Sequence, residues 1–171
     1  MPQITALIHV CNDQLQLGRV LDSLRPCAEV VVVDHGCSDE SLKIVRQHGA
    51  RLVKGVQGVA RAAYLQDAHN DWVLCLLPME SLAKELEASL SKWKGTEPAP
   101  DQIGYNLRIR EQNGAGWHIA SPELRLINRK RINWTGELPP EAPTLPRWKD
   151  TSCEFLTIRN RPNCREPTYN R

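Results

Sequence analysis

The sequence predicts an α/β protein of one domain, in which a mainly parallel central sheet carries helices on both faces. Three observations predict this fold class. The chain has 171 residues, enough for one domain with a sizeable core. Strand-like apolar runs alternate with helix-like segments four times between residues 4 and 90. The run at 29–34 reads EVVVVD, and its four consecutive valines need cover on both faces, as in a central parallel strand.

The first predicted unit joins a buried strand to an amphipathic helix. Residues 4–10 read ITALIHV, a nearly continuous apolar run rich in β-branched side chains. Leucine and valine then recur at helical spacing over 17–24, and Pro26 ends that helix. Asp13 and Gln16 have the spacing of a capping box, so Asp13 is predicted to cap the helix with its side chain.

The second and third units follow the valine-rich strand. Ser38 is predicted to cap a helix that ends at Gly49. A short strand is predicted at 51–54, and the segment 59–69 is predicted to be helical. Three side chains of that last helix are expected to face the core: Ala60, Ala63 and Tyr64.

The fourth unit is a strand at 71–77 and a helix that Ser81 is predicted to cap, with leucines 82, 86 and 90 on one stripe. Beyond it the hydrophobic period changes. Residues 103–110 and 124–127 alternate apolar with polar side chains, as half-buried strands do, and 153–158 predicts one last strand.

Composition excludes several classes of protein. Hydrophobic residues make up 41% and charged residues 25% of the chain, and the net charge of +2 is too small to indicate a nucleic-acid partner. No apolar run has the length of a membrane span, and the N-terminus lacks the pattern of a signal peptide. The six cysteines form no CxxC pair. We therefore expect reduced thiols in a cytoplasmic protein, or in one peripheral to the inner membrane.

Candidate functional residues follow the carboxyl ends of the predicted parallel strands. Right-handed crossovers place these ends on one edge of the sheet, where open α/β sheets bind ligands. Asn12 and Asp13 follow the first strand, Asp34 ends the second, and Glu80 follows the fourth. Asp34 has two open interpretations. Its carboxylate contacts a ribose or base, or it caps the turn that contains Gly36 through its own backbone.

Other chemistries at this edge have weaker support. The turn after the first strand, VCNDQLQLG, is not GxGxxG, and the chain has no P-loop, which argues against NAD or ATP by those routes. A Cys–His nucleophile can be assembled from Cys11, Cys37 and His35, because a helix N-terminus after Cys37 would lower its thiol pKa. The sequence shows no third group to orient such a pair.

Three segments resemble the nucleotide-binding half of family-2 glycosyltransferases with the GT-A fold. They read ITALIHVCND, EVVVVDHGCSDES and GVARAAYLQDAHNDWVLCL. The likeness is greatest to the lipopolysaccharide-core subgroup. The later segment SPELRLINRKRINWTGELPPE resembles a strand segment of that subgroup. The resemblance covers residues 4 to about 141.

The resemblance implies that Asp34 contacts the uracil or ribose of a UDP-sugar donor and that Asp39 is the second Asp of the DxGSxD stretch. Arg61 is then the cation near the phosphates, and Asn12 and Asp13 match the family's Asn-Glu.

The resemblance and the composition together divide the chain into four segments. Residues 1–93 are the expected nucleotide-binding half, and 94–102 are a polar linker. Residues 103–141 are an acceptor-side strand segment of the same domain, and 142–171 are a proline-rich, partly ordered tail.

The sequence departs from the family at its metal site. The family's Asp-x-Asp, which holds a divalent metal against the donor pyrophosphate, is here Leu77, Pro78 and Met79, followed by Glu80. Leucine and methionine do not ligate Mg²⁺, so no metal cofactor is expected. Binding of Mg²⁺ or Mn²⁺ is expected only if Glu80 or Asp39 takes the place of the lost metal ligands. The family's later His-Glu is here Pro-Glu, which leaves Glu141 as a candidate base.

Three functional hypotheses follow. The favoured one is a glycosyltransferase-like protein that is inactive or weakly active and keeps nucleotide or nucleotide-sugar binding. The first alternative is a metal-independent transferase that moves a sugar to a cell-envelope glycan or lipid. Arg61 and a basic cluster would then meet the leaving-group charge, with Glu80, Asp39 or Glu141 as base. The cluster comprises Arg125, Arg129, Lys130 and Arg131. The second alternative is a noncatalytic structural subunit with a protein partner.

Overall fold

The computed structural model describes residues 1–113, 116–119, 122–134, 136–137 and 156–160. It confirms a single α/β domain built on one mixed sheet. The nine strands are β1 (Ile4–Val10), β2 (Glu29–Asp34), β3 (Arg51–Lys54), β4 (Trp72–Leu76), β5 (Glu80–Leu82), β6 (Gly104–Asn113), β7 (Gly116–Ile119), β8 (Glu123–Asn128) and β9 (Leu156–Asn160). The helices are α1 (Gln14–Asp22), α2 (Ser41–Gln47), α3 (Lys84–Trp93) and one 3-10 helix (Arg61–Asp67).

The sheet has the order β3-β2-β1-β4-β8-β6-β9-β5, with β7 beside β6. The first four strands in this order are parallel. Most pairings on the other side are antiparallel, and β6 with β9 is a parallel exception. The carboxyl ends of β1, β2 and β4 therefore lie along one edge of the sheet, which we call the ligand edge.

Both faces of the parallel strands are covered, as the valine run predicts. On one face, side chains of β1 such as Ile8 pack with α1 and α3. On the other face, Leu7, Val31 and Val33 pack against the 3-10 helix. Val31, Val32 and Val33 have no exposed surface. The coverage of two faces explains why β2 is continuous in apolar side chains rather than alternating.

Three predicted helix caps are wrong. Asp13 precedes α1 but makes no capping hydrogen bond, and its carboxylate accepts the N–H of Cys11 instead. Helix α2 begins at Ser41, three residues after the predicted cap Ser38. Ser81 lies within strand β5, and α3 begins at Lys84. In each case the side chain or backbone has a tertiary partner, which local spacing does not reveal.

The segment predicted as a helix over 59–69 is a 3-10 helix, and this changes which side chains are buried. Ala62, Leu65 and Ala68 face the core, together with Tyr64. Their spacing of three residues matches the three residues per turn of a 3-10 helix. Of the predicted inward residues Tyr64 is confirmed, whereas Ala60 and Ala63 are exposed.

Residues 129–131, which follow β8, form a turn. No helix among the described residues combines the length and the apolar character needed to cross a bilayer. Glu141 and most of the proline-rich tail lie outside the described residues, so their predicted roles stay predictions.

Candidate functional site

Asn12 ties together the two loops that form the centre of the ligand edge. Its backbone has a φ of 60°, in the left-handed region that asparagine tolerates better than most residues. This conformation turns the side chain toward the loop after β2. Its Oδ1 accepts the N–H of Ser38 at 2.7 Å and the N–H of Asp39 at 3.2 Å. Asn12, a predicted site residue, therefore connects the loop after β1 to the loop after β2. Its predicted contact with a ligand stays a prediction.

Asp39 forms a second connection between the same loops. One carboxylate oxygen accepts the N–H of Ser41 at 2.9 Å, and the other accepts the N–H of Gln14 at 3.1 Å. The backbone N–H of Asp13 donates to the Ser41 hydroxyl at 3.0 Å. Slight burial would raise the pKa of Asp39, but the hydrogen bonds from Ser41 and Gln14 hold it below the ordinary value. The carboxylate is ionised at neutral pH and is committed to backbone donors.

Asp34 closes the turn at the end of β2. Its Oδ1 accepts the N–H of Gly36 at 3.0 Å and that of Cys37 at 2.8 Å. Gly36 has a φ of 94°, which favours glycine. Burial would raise the pKa of Asp34, but the hydrogen bonds from Cys37 and Gly36 lower it. The turn-capping interpretation of Asp34 is therefore present in the structure. Contact with a ribose or base stays a prediction for this half-exposed carboxylate.

The thiols at this edge are poorly suited to act as nucleophiles, because their thiolate forms are disfavoured. Burial, the carboxylate of Asp34 and that of Asp39 raise the pKa of Cys37 to about 12. Burial and neighbouring aspartates also raise the pKa of Cys11. The predicted lowering of the Cys37 pKa by a helix N-terminus is wrong, because α2 starts four residues later and carboxylates lie closer.

A pair of histidines, which the sequence analysis did not bring together, lies beneath the same edge. His9 Nδ1 is 2.8 Å from Nε2 of His35. Both rings lie edge-on to Tyr64 of the 3-10 helix. His9 is 4% exposed, and its Nε2 has no hydrogen-bond partner in the described part of the chain. Strands β1 and β2 pair in parallel, with Val10 opposite Asp34. His9 precedes Val10 and His35 follows Asp34, so the two rings are neighbours. This register is the sequence signal that could have predicted the pair.

Arg61 faces this histidine pair. Its Nε lies 3.1 Å from a carboxylate oxygen of Glu137, and its side chain is 14% exposed. Burial, His35 and Arg61 together lower the pKa of His9 to about 3. Burial and Arg61 lower the pKa of His35, against the opposing effect of Asp34. The charge of Arg61 therefore acts on both rings, and its predicted place near the phosphates stays a prediction.

Glu80 is buried in an ion pair, which argues against its predicted roles as base and metal ligand. Its two carboxylate oxygens lie 2.6 and 2.9 Å from the guanidinium nitrogens of Arg125, and neither side chain is exposed. Arg125 also donates to the Cys75 carbonyl at 3.2 Å and to the Glu123 carboxylate at 2.8 Å. In this geometry neither Glu80 nor Arg125 is accessible to a substrate. The expected phosphate or acceptor role of Arg125 is therefore corrected to a structural one.

The rest of the predicted basic cluster lies at the opposite edge of the sheet. Arg129 Nε donates to the Asn70 carbonyl at 2.9 Å, just before β4 begins. Lys130 pairs with Asp71 at 2.8 Å, and Arg131 donates to the carbonyl of Ala99 at 3.0 Å. Strand β8 runs antiparallel to β4, so residues that follow β8 return to the amino end of β4. Arg129 therefore cannot act on a ligand held beside Asp34.

The turn Leu77–Glu80 does not fit a divalent metal. It is closed by hydrogen bonds from the Glu80 N–H to the Leu77 carbonyl at 3.0 Å and from the Leu77 N–H to the Glu80 carboxylate at 2.9 Å. Leu77 and Met79 are half-buried and offer no hard oxygen ligand. Across the residues that the structure describes, no group of three or more His, Cys, Asp or Glu could hold a metal ion.

Comparison with known proteins identifies relatives in several Rickettsia species. An uncharacterized glycosyltransferase of Rickettsia bellii (strain RML369-C) is 28% identical over 137 residues, which are 75% of this chain and 47% of the relative. One of Rickettsia felis (strain ATCC VR-1525 / URRWXCal2) is 27% identical over 113 residues, 64% of this chain and 40% of the relative. The chain thus spans less than half the length of these relatives. No protein-family model matches the chain.

A solved structure supports the fold. The structure of S. aureus TarS 1-349 in complex with UDP matches with a TM-score of 0.50 at 20% identity, over 67% of this chain and 37% of TarS. At that identity the match concerns the fold alone. The predicted GT-A-like fold is confirmed.

Proposed function

We propose that this chain is a glycosyltransferase-like domain that binds a nucleotide or nucleotide sugar and is inactive, or weakly active, in sugar transfer. One observation carries the proposal. The turn that the resemblance aligns with the family's metal site carries Leu77 and Met79, while its one carboxylate, on Glu80, is held in a buried ion pair with Arg125. Metal-assisted departure of a nucleoside diphosphate therefore lacks its ligands at this position.

The loops after β1 and β2 keep a framework that could receive a nucleotide. Asn12, Asp34 and Asp39 each accept two backbone N–H groups and so hold these loops in one arrangement. Preorganised loops reduce the entropy cost of binding. This framework, together with the lack of metal ligands at the turn Leu77–Glu80, supports retained binding with lost catalysis. The UDP seen with TarS makes a uridine nucleotide the first ligand to test.

The alternative is metal-independent transfer to a glycan or lipid of the cell envelope, as in the lipopolysaccharide-core subgroup. It is favoured by Arg61, a largely buried cation at the ligand edge. A fixed guanidinium can meet developing phosphate charge. Because Glu80 is buried, the base would be Asp39 or Glu141. Asp39 already accepts two backbone N–H groups, which makes it a weak base.

The experiment is a calorimetric and thermal-shift titration with UDP, GDP and CDP, each with and without Mn²⁺. We expect UDP to bind and to raise the unfolding midpoint equally with and without Mn²⁺. Saturation at a hundredfold excess over Kd corresponds to about 2.7 kcal/mol of stabilisation. Asp34→Ala should abolish this shift, whereas Asp22→Ala, on the far end of α1, should leave it unchanged.

The outcomes separate the hypotheses. Binding with no release of label from a radiolabelled UDP-sugar supports the inactive domain. Metal-free transfer or hydrolysis supports the active alternative. Absence of nucleotide binding would leave the structural partner subunit. Binding that requires Mn²⁺ would show that this chain does hold a metal ion at the nucleotide site, which contradicts the proposal.

A further inference from the structure

Basic side chains cluster beneath the centre of the ligand edge. His9 and His35 lie beneath the ligand edge as a hydrogen-bonded pair, and Arg61 is near enough for its charge to lower the pKa of both. Three basic side chains that disfavour one another's charge are an arrangement that an anion relieves. The cluster therefore has the charge that suits an anionic ligand.

We propose that His9, His35 and Arg61 form a phosphate-binding site, in which His35 takes up a proton when the diphosphate of a nucleotide binds. The inference rests on the proposed function, since it names the groups that would receive the diphosphate. His35 then supplies, as an imidazolium, part of the positive charge that a metal ion supplies in metal-dependent transferases.

The position of His35 suits this role. It directly follows Asp34 at the carboxyl end of β2 and is half-exposed, so a ligand at this edge can reach it. Its ring is held from behind by His9 and Tyr64. A Cβ added to Gly55 would lie 2.7 Å from His35 Nδ1, so the glycine permits a close approach of the loop after β3. The ring is thus fixed in place before any ligand arrives.

His9 allows the pair to exist in two charge states. Its pKa of about 3 keeps it neutral, so its Nδ1 can donate to a neutral His35 or accept from a protonated one. The hydrogen bond at 2.8 Å therefore survives protonation of His35. The buried Nε2 of His9, which has no partner among the described residues, accommodates the accompanying change of tautomer.

The charges around His35 determine the sign of the pH dependence. Burial and Arg61 lower its pKa, while Asp34 and Glu137 oppose this effect. In the free protein His35 is therefore neutral at pH 7. A bound diphosphate adds negative charge and raises the pKa, so binding takes up protons and tightens as the pH falls from 8 to 6. Within the described part of the chain, the titratable groups that face His35 include His9, Asp34, Arg61, Tyr64 and Glu137.

The test is calorimetry at pH 7 in two buffers of different ionisation enthalpy, which counts protons taken up per ligand bound. The probes are UDP, inorganic pyrophosphate and uridine. We expect net uptake with UDP and pyrophosphate and none with uridine. His35→Gln should remove the uptake and weaken UDP binding at pH 6 roughly tenfold, the loss of one charge-assisted hydrogen bond. The matched control is His69→Gln, an exposed histidine paired with Glu29 at the opposite edge, which should behave as the wild type.

Each outcome decides the matter. UDP binding with equal proton uptake in wild type and His35→Gln overturns the phosphate site and leaves the proposed function standing. Pyrophosphate binding that depends on His35, without UDP binding, supports the phosphate site and refutes the proposed function. Binding of neither probe refutes both. If His35→Gln does not fold, the wild-type difference between UDP and uridine decides, because no excess uptake with UDP overturns the inference.

Discussion

Replacing Glu80 with glutamine should lower the unfolding temperature strongly, because it removes one partner of a fully buried ion pair. Breaking such a pair costs about 3–5 kcal/mol, since the remaining charge is left without compensation. Arg125 keeps a second carboxylate, that of Glu123, which is 26% exposed, so we expect the lower end of that range. For a domain of this size, about 3 kcal/mol corresponds to a fall of roughly 6–12 °C in Tm.

The assay is thermal unfolding followed by circular dichroism, with urea denaturation as a second measure. Glu40→Gln is the matched control, because Glu40 pairs with Lys43 on the surface of α2 and both side chains are exposed. It should leave the Tm unchanged within error. The double variant Glu80→Leu with Arg125→Met should recover most of the loss, because apolar side chains of similar volume avoid the desolvation cost. A fall below roughly 2 °C for Glu80→Gln would refute the structural role and reopen its role as a base.

Three further predictions concern the ligand edge. The double variant Leu77→Asp with Met79→Asp should gain Mn²⁺-dependent UDP binding, at least tenfold tighter with metal by calorimetry; no metal effect would mean that the turn does not face the diphosphate. Gly55→Ala should lower stability by about 1–3 kcal/mol in urea, because the new Cβ would lie 2.7 Å from a histidine ring. Gly18→Ala, whose nearest neighbour is at 3.8 Å, should be neutral or stabilising. Asn12→Ala should weaken UDP binding and cost about 1–3 kcal/mol, while Asn12→Asp keeps the acceptor oxygen and should cost less in the same assays.

The fold was predictable because its signals are local. Four valines in succession require a strand covered on both faces, and alternation with amphipathic helices requires parallel pairing. From these two facts the ligand edge follows, and Asn12, Asp34 and Asp39 lie along it in the structure. The position of the family's Asp-x-Asp was placed by the resemblance alone, and it stays a prediction.

The roles of the charged side chains were less predictable. Glu80 and Arg125 are 45 residues apart, and only strand pairing brings them together in the core. Arg129 follows Arg125 by four residues, yet the direction of β8 carries it to the opposite edge. A charged side chain that is solvated and one that is buried in an ion pair look alike in the sequence. Only the partners that other strands and helices supply tell the two cases apart.

The sequence by itself determined the fold class, because alternating strand-like and helix-like runs depend on neighbouring residues. The edge at which a ligand would bind and the loss of metal ligands at Leu77 and Met79 stay predictions, and the second of them rests on the family resemblance. Only the tertiary structure decided that Glu80 is held by Arg125 and that His9 meets His35 beneath Arg61. Hydrogen bonds and ion pairs act over a few ångströms. Residues distant in sequence acquire these interactions only when the sheet has set their register.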